Sequence, residues 1–357
     1  MVSDESAHSP TQLNLSFAGC GFLGIYHVGV ASCIQKYAPH LISNHITGAS
    51  AGSLVAAGML CNLPIGEAAT FTLNLARKAR DRALGPLHPQ FNITNHLRSG
   101  LEVFLPENAH TICTGRLFVS LTRVRDRKNV LMSQFDSKDD LIQCLLCSAH
   151  VPFWSGIMPP LYRGERYIDG GLSLNNPILN ENTITVSPFS GESDICPDDK
   201  SASFMHVCLA GTSIQMNCGN LFRISHAFFP PVPEILSNMC KQGFDDALNY
   251  LQKSDLISCT KHLSVLSSIH SGSSFSLEQL VKEEKKLHYC DDCRQKKESL
   301  SVTSLPPPVV QALQAACDSV NKGVLATIYK MRVFKVLSLM TAPWILPFDV
   351  GIVMAQK

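Results

Sequence analysis

Acidic residues are missing from a long early stretch of this chain: no Asp or Glu stands between Glu5 and Glu67. Charge is scarce throughout, at 17% of residues against about 25% in ordinary globular domains. With a formal net charge of +1, the chain makes no field that would draw nucleic acid or an acidic ligand. A signal peptide is not expected, because "MVSDESAHSPTQ" is polar and acidic rather than basic and then apolar. A membrane-spanning run is lacking too. Residues 37–66 carry no Asp, Glu, Lys or Arg, but their Gly, Ser, Asn and His suit a buried βα unit. Val336–Phe348 is apolar yet interrupted by Pro343 and Pro347, and falls short of the roughly 18 residues that a span needs. Lys330, Arg332 and Lys335 stand just before it, as in a segment lying on a lipid surface; a core helix packed on the domain is the other reading. Cysteine, by contrast, is plentiful. The 14 cysteines have no repeating spacing, so free thiols in a reducing, intracellular compartment are expected.

The acidic gap decides how the first motif is read. Leu13-Asn14-Leu15-Ser16-Phe17 alternates like a strand and leads into Gly19-Cys20-Gly21-Phe22-Leu23-Gly24, a G-x-G-x-x-G. A dinucleotide-binding loop requires a carboxylate about 20 residues further on to hold the ribose, and none is there. Instead the chain carries a short β-like run, His45-Ile46-Thr47, then Gly48-Ala49-Ser50-Ala51-Gly52, then helical spacing from Leu54 to Leu60. Strand, G-x-S-x-G and helix in that order make the setting of a nucleophile elbow. Gly48 and Gly52 flank Ser50 because a β-carbon on either side would clash in so cramped a turn. Ser50 is therefore a candidate nucleophile. The earlier loop becomes a candidate oxyanion hole, with the amides around Gly19, Cys20 and Gly21 facing developing charge and Gly24 closing the motif.

With both motifs in hand, the chain resembles the patatin-like phospholipases, and most of all the subgroup of adipose triglyceride lipase and adiponutrin. The likeness is dense from about Asn14 to Leu251 and rests on "SFAGCGFLG", "GASAG", "GPLHPQFN", "SLTRV", "RYIDGG", "TITVSPFSGESDICP" and "FFPPVPEIL". The closing "LSLMTAPWILPFDVG" is similar to a hydrophobic segment beyond the lipase's catalytic domain. The resemblance implies a patatin-like three-layer αβα fold with a mainly parallel central sheet. It also implies a Ser–Asp dyad, in which Ser50 is the nucleophile and Asp169 of Asp169-Gly170-Gly171 the base. Triacylglycerol would be cleaved at the lipid droplet surface without metal or organic cofactor. The implied partners are an α/β-hydrolase-fold coactivator and a small inhibitory protein; the implied location is the droplet surface, the cytoplasm or a membrane. An aspartate, with a pKa near ~4 in water, can serve as base where the pocket is dry and the serine bonds it directly. Taken alone, Asp-Gly-Gly also suits an ordinary turn.

Two stretches depart from the subgroup's pattern. Ser173-Leu174-Asn175 replaces Ser-Asp-Asn, which bears on the loop supporting Asp169. Arg125-Asp126-Arg127-Lys128-Asn129 is more basic than the usual Asp-Gly-Glu-Asn turn, either as a solvated hairpin tip or as a contact for anionic lipid. A conventional Ser, Asp, His order could draw on His206, His226, His262, His270 or His288. Cys290 and Cys293 form a C-x-x-C beside His288, but no second pair completes a zinc site. The expected organisation is an α/β catalytic domain over residues 10–255, with strands at Leu117–Thr122, Arg166–Ile168 and Thr183–Val186 and a helix over Leu141–Cys147. A mobile linker over 256–310, Pro-rich at Pro306-Pro307-Pro308, leads to an apolar helical lipid-associating extension over 311–357. Besides triacylglycerol hydrolysis, the same dyad would serve an acylglycerol transacylase or a phospholipase. A weakly active regulatory or coactivator-binding protein on the droplet is a reading from a different class.

Overall fold

The computed structural model describes residues 13–81, 85–88, 91–199, 205–257 and 305–321. Seven short strands form the central sheet: β1 (Asn14–Phe17), β2 (Ile46–Ala49), β3 (Leu117–Arg123), β4 (Asn129–Met132), β5 (Leu161–Tyr162), β6 (Glu165–Asp169) and β7 (Thr183–Val186). β3, β2, β1 and β7 lie side by side and parallel. β1, β2 and β7 are buried at every position, their polar residues included, as expected of parallel strands covered on both faces. β4 and β6 pair antiparallel with β3, and β5 pairs antiparallel with β6.

The helices are α1 (Gly24–Tyr37), α2 (Ala51–Leu60), α3 (Ile65–Arg80), α4 (Ile93–Phe104), α5 (Ala109–Cys113), α6 (Lys138–Ser148), α7 (Cys218–Phe228), α8 (Pro233–Lys253) and α9 (Pro307–Asn321). With the sheet they make a three-layer α/β architecture. A separate hairpin, β8 (His206–Leu209) with β9 (Thr212–Gln215), stands off the main sheet. α1 is buried almost all round, as expected of a helix with apolar residues on every side. α8 lies across it at backbone contact: a β-carbon on Gly29 would collide with the Cys240 carbonyl, and one on Gly243 with that of Tyr26. The Tyr26 hydroxyl donates to Asp246 at 2.8 Å and fixes the register of the two helices.

The arrangement around β3 positions the site. β4 occupies one edge of β3 along Val119–Thr122. The other edge is shared end to end: β2 pairs as far as Ala49↔Ser120, and β6 takes over at Leu121↔Asp169. Because β2 is parallel to β3 and β6 antiparallel, their C-terminal ends point at each other. The residue after Ala49 is Ser50, so the topology itself carries Ser50 and Asp169 to one gap.

The basic stretch after β3 is the exposed turn of the β3–β4 hairpin, with Arg123 paired to Asp126 at 2.8 Å and Arg125 to Glu165 at 3.0 Å. The stretch read as linker is corrected at its end. α9 begins at Pro307, inside it, because prolines in a helix's first turn lose no hydrogen bond. Leu305, Val309 and Leu313 are buried in the main core, and Pro308 crosses Gly66 of α3 so closely that a β-carbon there would lie 2.8 Å from it. Val336–Phe348 and the Cys290/Cys293 pair lie outside the described residues. Among the described residues no helix is long and apolar enough to cross a membrane.

The docking of α9 generates a stability prediction. Leu313→Asp forces a carboxylate into the core and should cost about 3 kcal/mol or more, read as a lowered urea midpoint. Gln314→Asp, on the exposed face, should stay within about 0.5 kcal/mol. Equal midpoints for the two variants would mean that α9 does not pack on α3.

Candidate active site

Ser50 occupies a turn that few residues tolerate. Its φ is +50° and ψ −127°, a strained conformation costing about 1–3 kcal/mol, maintained because the surroundings over-determine it. A β-carbon on Gly52 would strike the Phe17 carbonyl, and one on Gly48 would lie 2.6 Å from Gly52 and Ser53. The Ser50 amide donates to Ser148 Oγ at 2.9 Å, and that hydroxyl donates to the Ser120 carbonyl at 2.7 Å. The elbow is thereby tied to α6 and to β3 at the point where β2 gives way to β6.

Asp169 closes the gap from the other side. Its amide donates to the His150 carbonyl at 2.8 Å, and its own carbonyl accepts from Thr122 Oγ1 at 2.7 Å. Gly170 then turns so tightly that a β-carbon would hit the Ser120 carbonyl. The Asp169 carboxylate accepts a hydrogen bond from the Gly171 amide at 2.7 Å, with the Ser50 hydroxyl beside it. Burial raises its pKa to about 6, and the Ser50 hydroxyl and Gly171 amide pull the other way. The structure therefore brings Ser50, Asp169, Gly170 and Gly171 together.

The four candidate oxyanion positions divide into two pairs. The Gly19 amide is committed to Asn175, bonding its Oδ1 at 2.9 Å and its backbone carbonyl at 3.3 Å. The Gly24 amide donates to the Gly21 carbonyl as a cap. Among the described residues the amides of Cys20 and Gly21 have no such partner, and both residues adjoin the elbow. Burial first, and then the Asp169 charge, raises the Cys20 pKa, so this side chain stays a thiol. His27, buried in α1, donates from Nε2 to the Ala18 carbonyl at 2.8 Å and anchors the loop's entry. Burial lowers its pKa to about 4, which keeps it neutral.

Several of these supports have no local sequence signal. Ser148, Thr122 and His27 look like ordinary polar residues in a helix, a strand and a helix. Asn175 stands in the altered Ser173-Leu174-Asn175 stretch, where its side chain bridges Gly19 and Thr212. Leu174 itself turns toward Gly211 of the β8–β9 hairpin, while its backbone bonds Gly170 and Ser120. The conventional-triad candidates lie elsewhere: His206 contacts Ser213 Oγ at 3.3 Å, and half-buried His226 stacks on Phe222. His262, His270 and His288 lie outside the described residues. Among the described residues no group of three His, Cys, Asp or Glu could hold a metal.

From Ser50 a cleft of about 160 Å³ runs between α1, α2, α3 and α4. Leu54, Val55, Met59, Phe71, Leu97 and Phe104 wall it, and among the described residues Glu67 is the one charged side chain on its lining. A dry carboxylate beside a strained serine, at the head of an apolar cleft, is equipped to move an acyl group from one oxygen to another.

A family model described as patatin-like phospholipase matches residues 15–180. A patatin-like phospholipase domain-containing protein 2 from Rattus norvegicus is 43% identical over 342 residues, covering 95% of this chain and 70% of that protein. A 1-acylglycerol-3-phosphate O-acyltransferase from Mus musculus is 39% identical over 347 residues, 96% of this chain and 83% of that one. A patatin-like phospholipase domain-containing protein 4 from Homo sapiens is 42% identical over 246 residues, 68% of this chain and 97% of that protein.

Burial of Asp169 makes a pH-dependent stability prediction. The native carboxyl binds its proton more tightly than the unfolded one, so its contribution to stability is complete below about pH 4 and lost as pH rises through about 6. The loss amounts to about 3 kcal/mol. Asp169→Asn does not ionise, so its unfolding free energy relative to the native sequence should rise by that order between pH 4 and pH 7. A difference that stays flat with pH would mean that the carboxyl is hydrated.

Proposed function

The chain belongs to the patatin-like phospholipase family, and on that premise we propose that it is a serine acyl hydrolase cleaving triacylglycerol through Ser50 and Asp169 at the lipid droplet surface. The observation that carries this reading is the meeting of Ser50 with the buried Asp169 carboxylate in the gap where β2 gives way to β6 along β3. As Ser50 Oγ attacks the acyl carbonyl, its proton passes to Asp169, whose burial raises its proton affinity toward that of a useful base. The free amides of Cys20 and Gly21 would receive the charge that develops on the carbonyl oxygen. Collapse of the tetrahedral intermediate returns the proton from Asp169 to the departing glyceride alkoxide and leaves the acyl group on Ser50. Water then repeats the sequence, regenerating the serine and releasing fatty acid. The apolar walls of the cleft supply the binding surface for the acyl chain.

A second reading exchanges water for a lipid hydroxyl as the acyl acceptor, which makes the same site an acyltransferase. The name of the mouse relative favours it. A phospholipid as acyl donor uses the same chemistry, as the family name implies. Partnership with an α/β-hydrolase-fold coactivator and a small inhibitory protein is proposed on the family resemblance alone.

Ester hydrolysis should follow a single ionisation, with kcat/KM rising through about pH 6 as Asp169 loses its proton. Ser50→Ala and Asp169→Asn should each lower kcat by about 10³-fold or more while leaving the fold intact. Retained activity in both variants would rule out the dyad. Folded native protein without esterase activity would favour the regulatory lipid-binding role instead. The cleft gives a second test. Ala68→Trp, which fills the cleft between α3 and Leu54, should cut hydrolysis of palmitoyl relative to butyryl esters by about 10-fold. An unchanged ratio would place the acyl chain elsewhere.

A further inference from the structure

Two segments around the mouth of the cleft expose their apolar side chains instead of burying them. The first is the loop from Val151 to Tyr162, which contains no Asp, Glu, Lys or Arg. Phe153 and Ile157 on it are each 82% exposed, and Met158 is 68% exposed. The second is α7, where Leu221, Ile224 and Phe228 form an exposed stripe at helical spacing. The one arginine on α7, Arg223, is locked to Asp199 at 2.6 Å and largely buried, so it gives this face no free charge.

Trp154 joins the two segments and connects both to the site. It lines the acyl cleft, meets Phe22 edge to face at 5.8 Å and Phe228 at 6.2 Å, and donates from Nε1 to the Phe228 carbonyl at 3.2 Å. α7 in turn sits directly over the glycine loop, since a β-carbon on Gly21 would collide with the Ala227 carbonyl. The exposed apolar surface is thus continuous with the walls of the cleft.

The loop conformation is also one that a random exposed phenylalanine does not adopt. Phe153 has a φ of +68°, a left-handed conformation unfavourable for a bulky side chain. It is held there by a set of short bonds. The Phe153 amide donates to the Gly156 carbonyl at 3.0 Å and the Ser155 amide to that of Val151 at 2.8 Å, while Ser155 Oγ reaches the Ala149 carbonyl at 3.2 Å. Strain that keeps an aromatic ring in solvent points to something the ring meets there.

We propose that the Val151–Tyr162 loop and the outer stripe of α7 dock the catalytic domain directly on a lipid surface, so that the cleft opens onto the layer that supplies its substrate. The proposal rests on the acyl hydrolase reading for its choice of occupant. A surface without free charge, rich in aromatic and aliphatic tips and merging with an acyl cleft, fits an apolar lipid layer better than a charged protein partner.

The test uses the full chain and Phe153→Ser/Ile157→Ser/Met158→Ser, assayed three ways. One assay is flotation with triolein particles stabilised by phosphatidylcholine. The others are hydrolysis of those particles and hydrolysis of a dissolved p-nitrophenyl butyrate. The variant should lose about 10-fold or more in particle binding and particle hydrolysis. Its kcat/KM on the dissolved ester should stay within about 2-fold, because the changed residues are exposed. Unchanged flotation of the variant overturns the proposal. So does an equal loss on the dissolved ester, which would make the loop part of the reaction site. Native protein that self-associates in sedimentation through these residues, and does not float, overturns it in favour of a second copy. If native protein floats but hydrolyses neither substrate, the acyl hydrolase reading fails while flotation of the variant still decides the docking surface.

Discussion

The whole site depends on one edge of one strand. β3 pairs with β2 only as far as Ser120, and from Leu121 onward the same edge belongs to β6. Two strands that point at each other leave a gap without main-chain pairing, and the side chains at their tips must fill it. Ser50 and Asp169 are those tips. Both side chains are buried, and the backbone closes around them: Gly170 lies against the Ser120 carbonyl, Ser148 ties the elbow to β3, and Thr122 holds the Asp169 carbonyl. Burial raises the pKa of the Asp169 carboxyl to about 6.

Strain at Ser50 is offset by rigid surroundings. The glycine loop runs from β1 straight into α1, and α8 clamps α1 at backbone contact. His27 and Asn175 fix the loop from opposite sides, one at Ala18 and one at Gly19. Asn175 takes up the Gly19 amide, while among the described residues the amides of Cys20 and Gly21 have no such partner. The chemistry therefore sits on the sheet and its immediate loops, the apolar cleft lies between helices, and the exposed apolar segments form the mouth. Each layer of the site draws on a different part of the fold.

Much of this was legible in the residues. Gly48 and Gly52 announced a turn too tight for side chains, and the structure places each against backbone. The strand tracts at Asn14–Phe17 and Thr183–Val186 stood out because polar and apolar residues alternate along them. The direction of β6 was not legible, since alternation and composition do not encode whether a neighbour runs parallel or antiparallel. Nor was the division of labour within G-x-G-x-x-G, which is set by Asn175, a residue more than a hundred positions away in the chain. The start of α9 was hidden by its prolines, which look like linker composition and serve equally as a helix's first turn. Long-range side-chain partners such as Ser148 leave no local trace at all.

At the centre stands the Ser50 hydroxyl, proposed to be activated by the Asp169 carboxylate. The most direct measurement is the rate at which a fluorophosphonate labels the folded protein as pH is varied, with the modified residue identified by mass spectrometry. The account predicts labelling confined to Ser50, rising through about pH 6 and lost in Asp169→Asn. Labelling of Ser50 that proceeds equally well without the Asp169 carboxylate, or that shows no ionisation in that range, would contradict it.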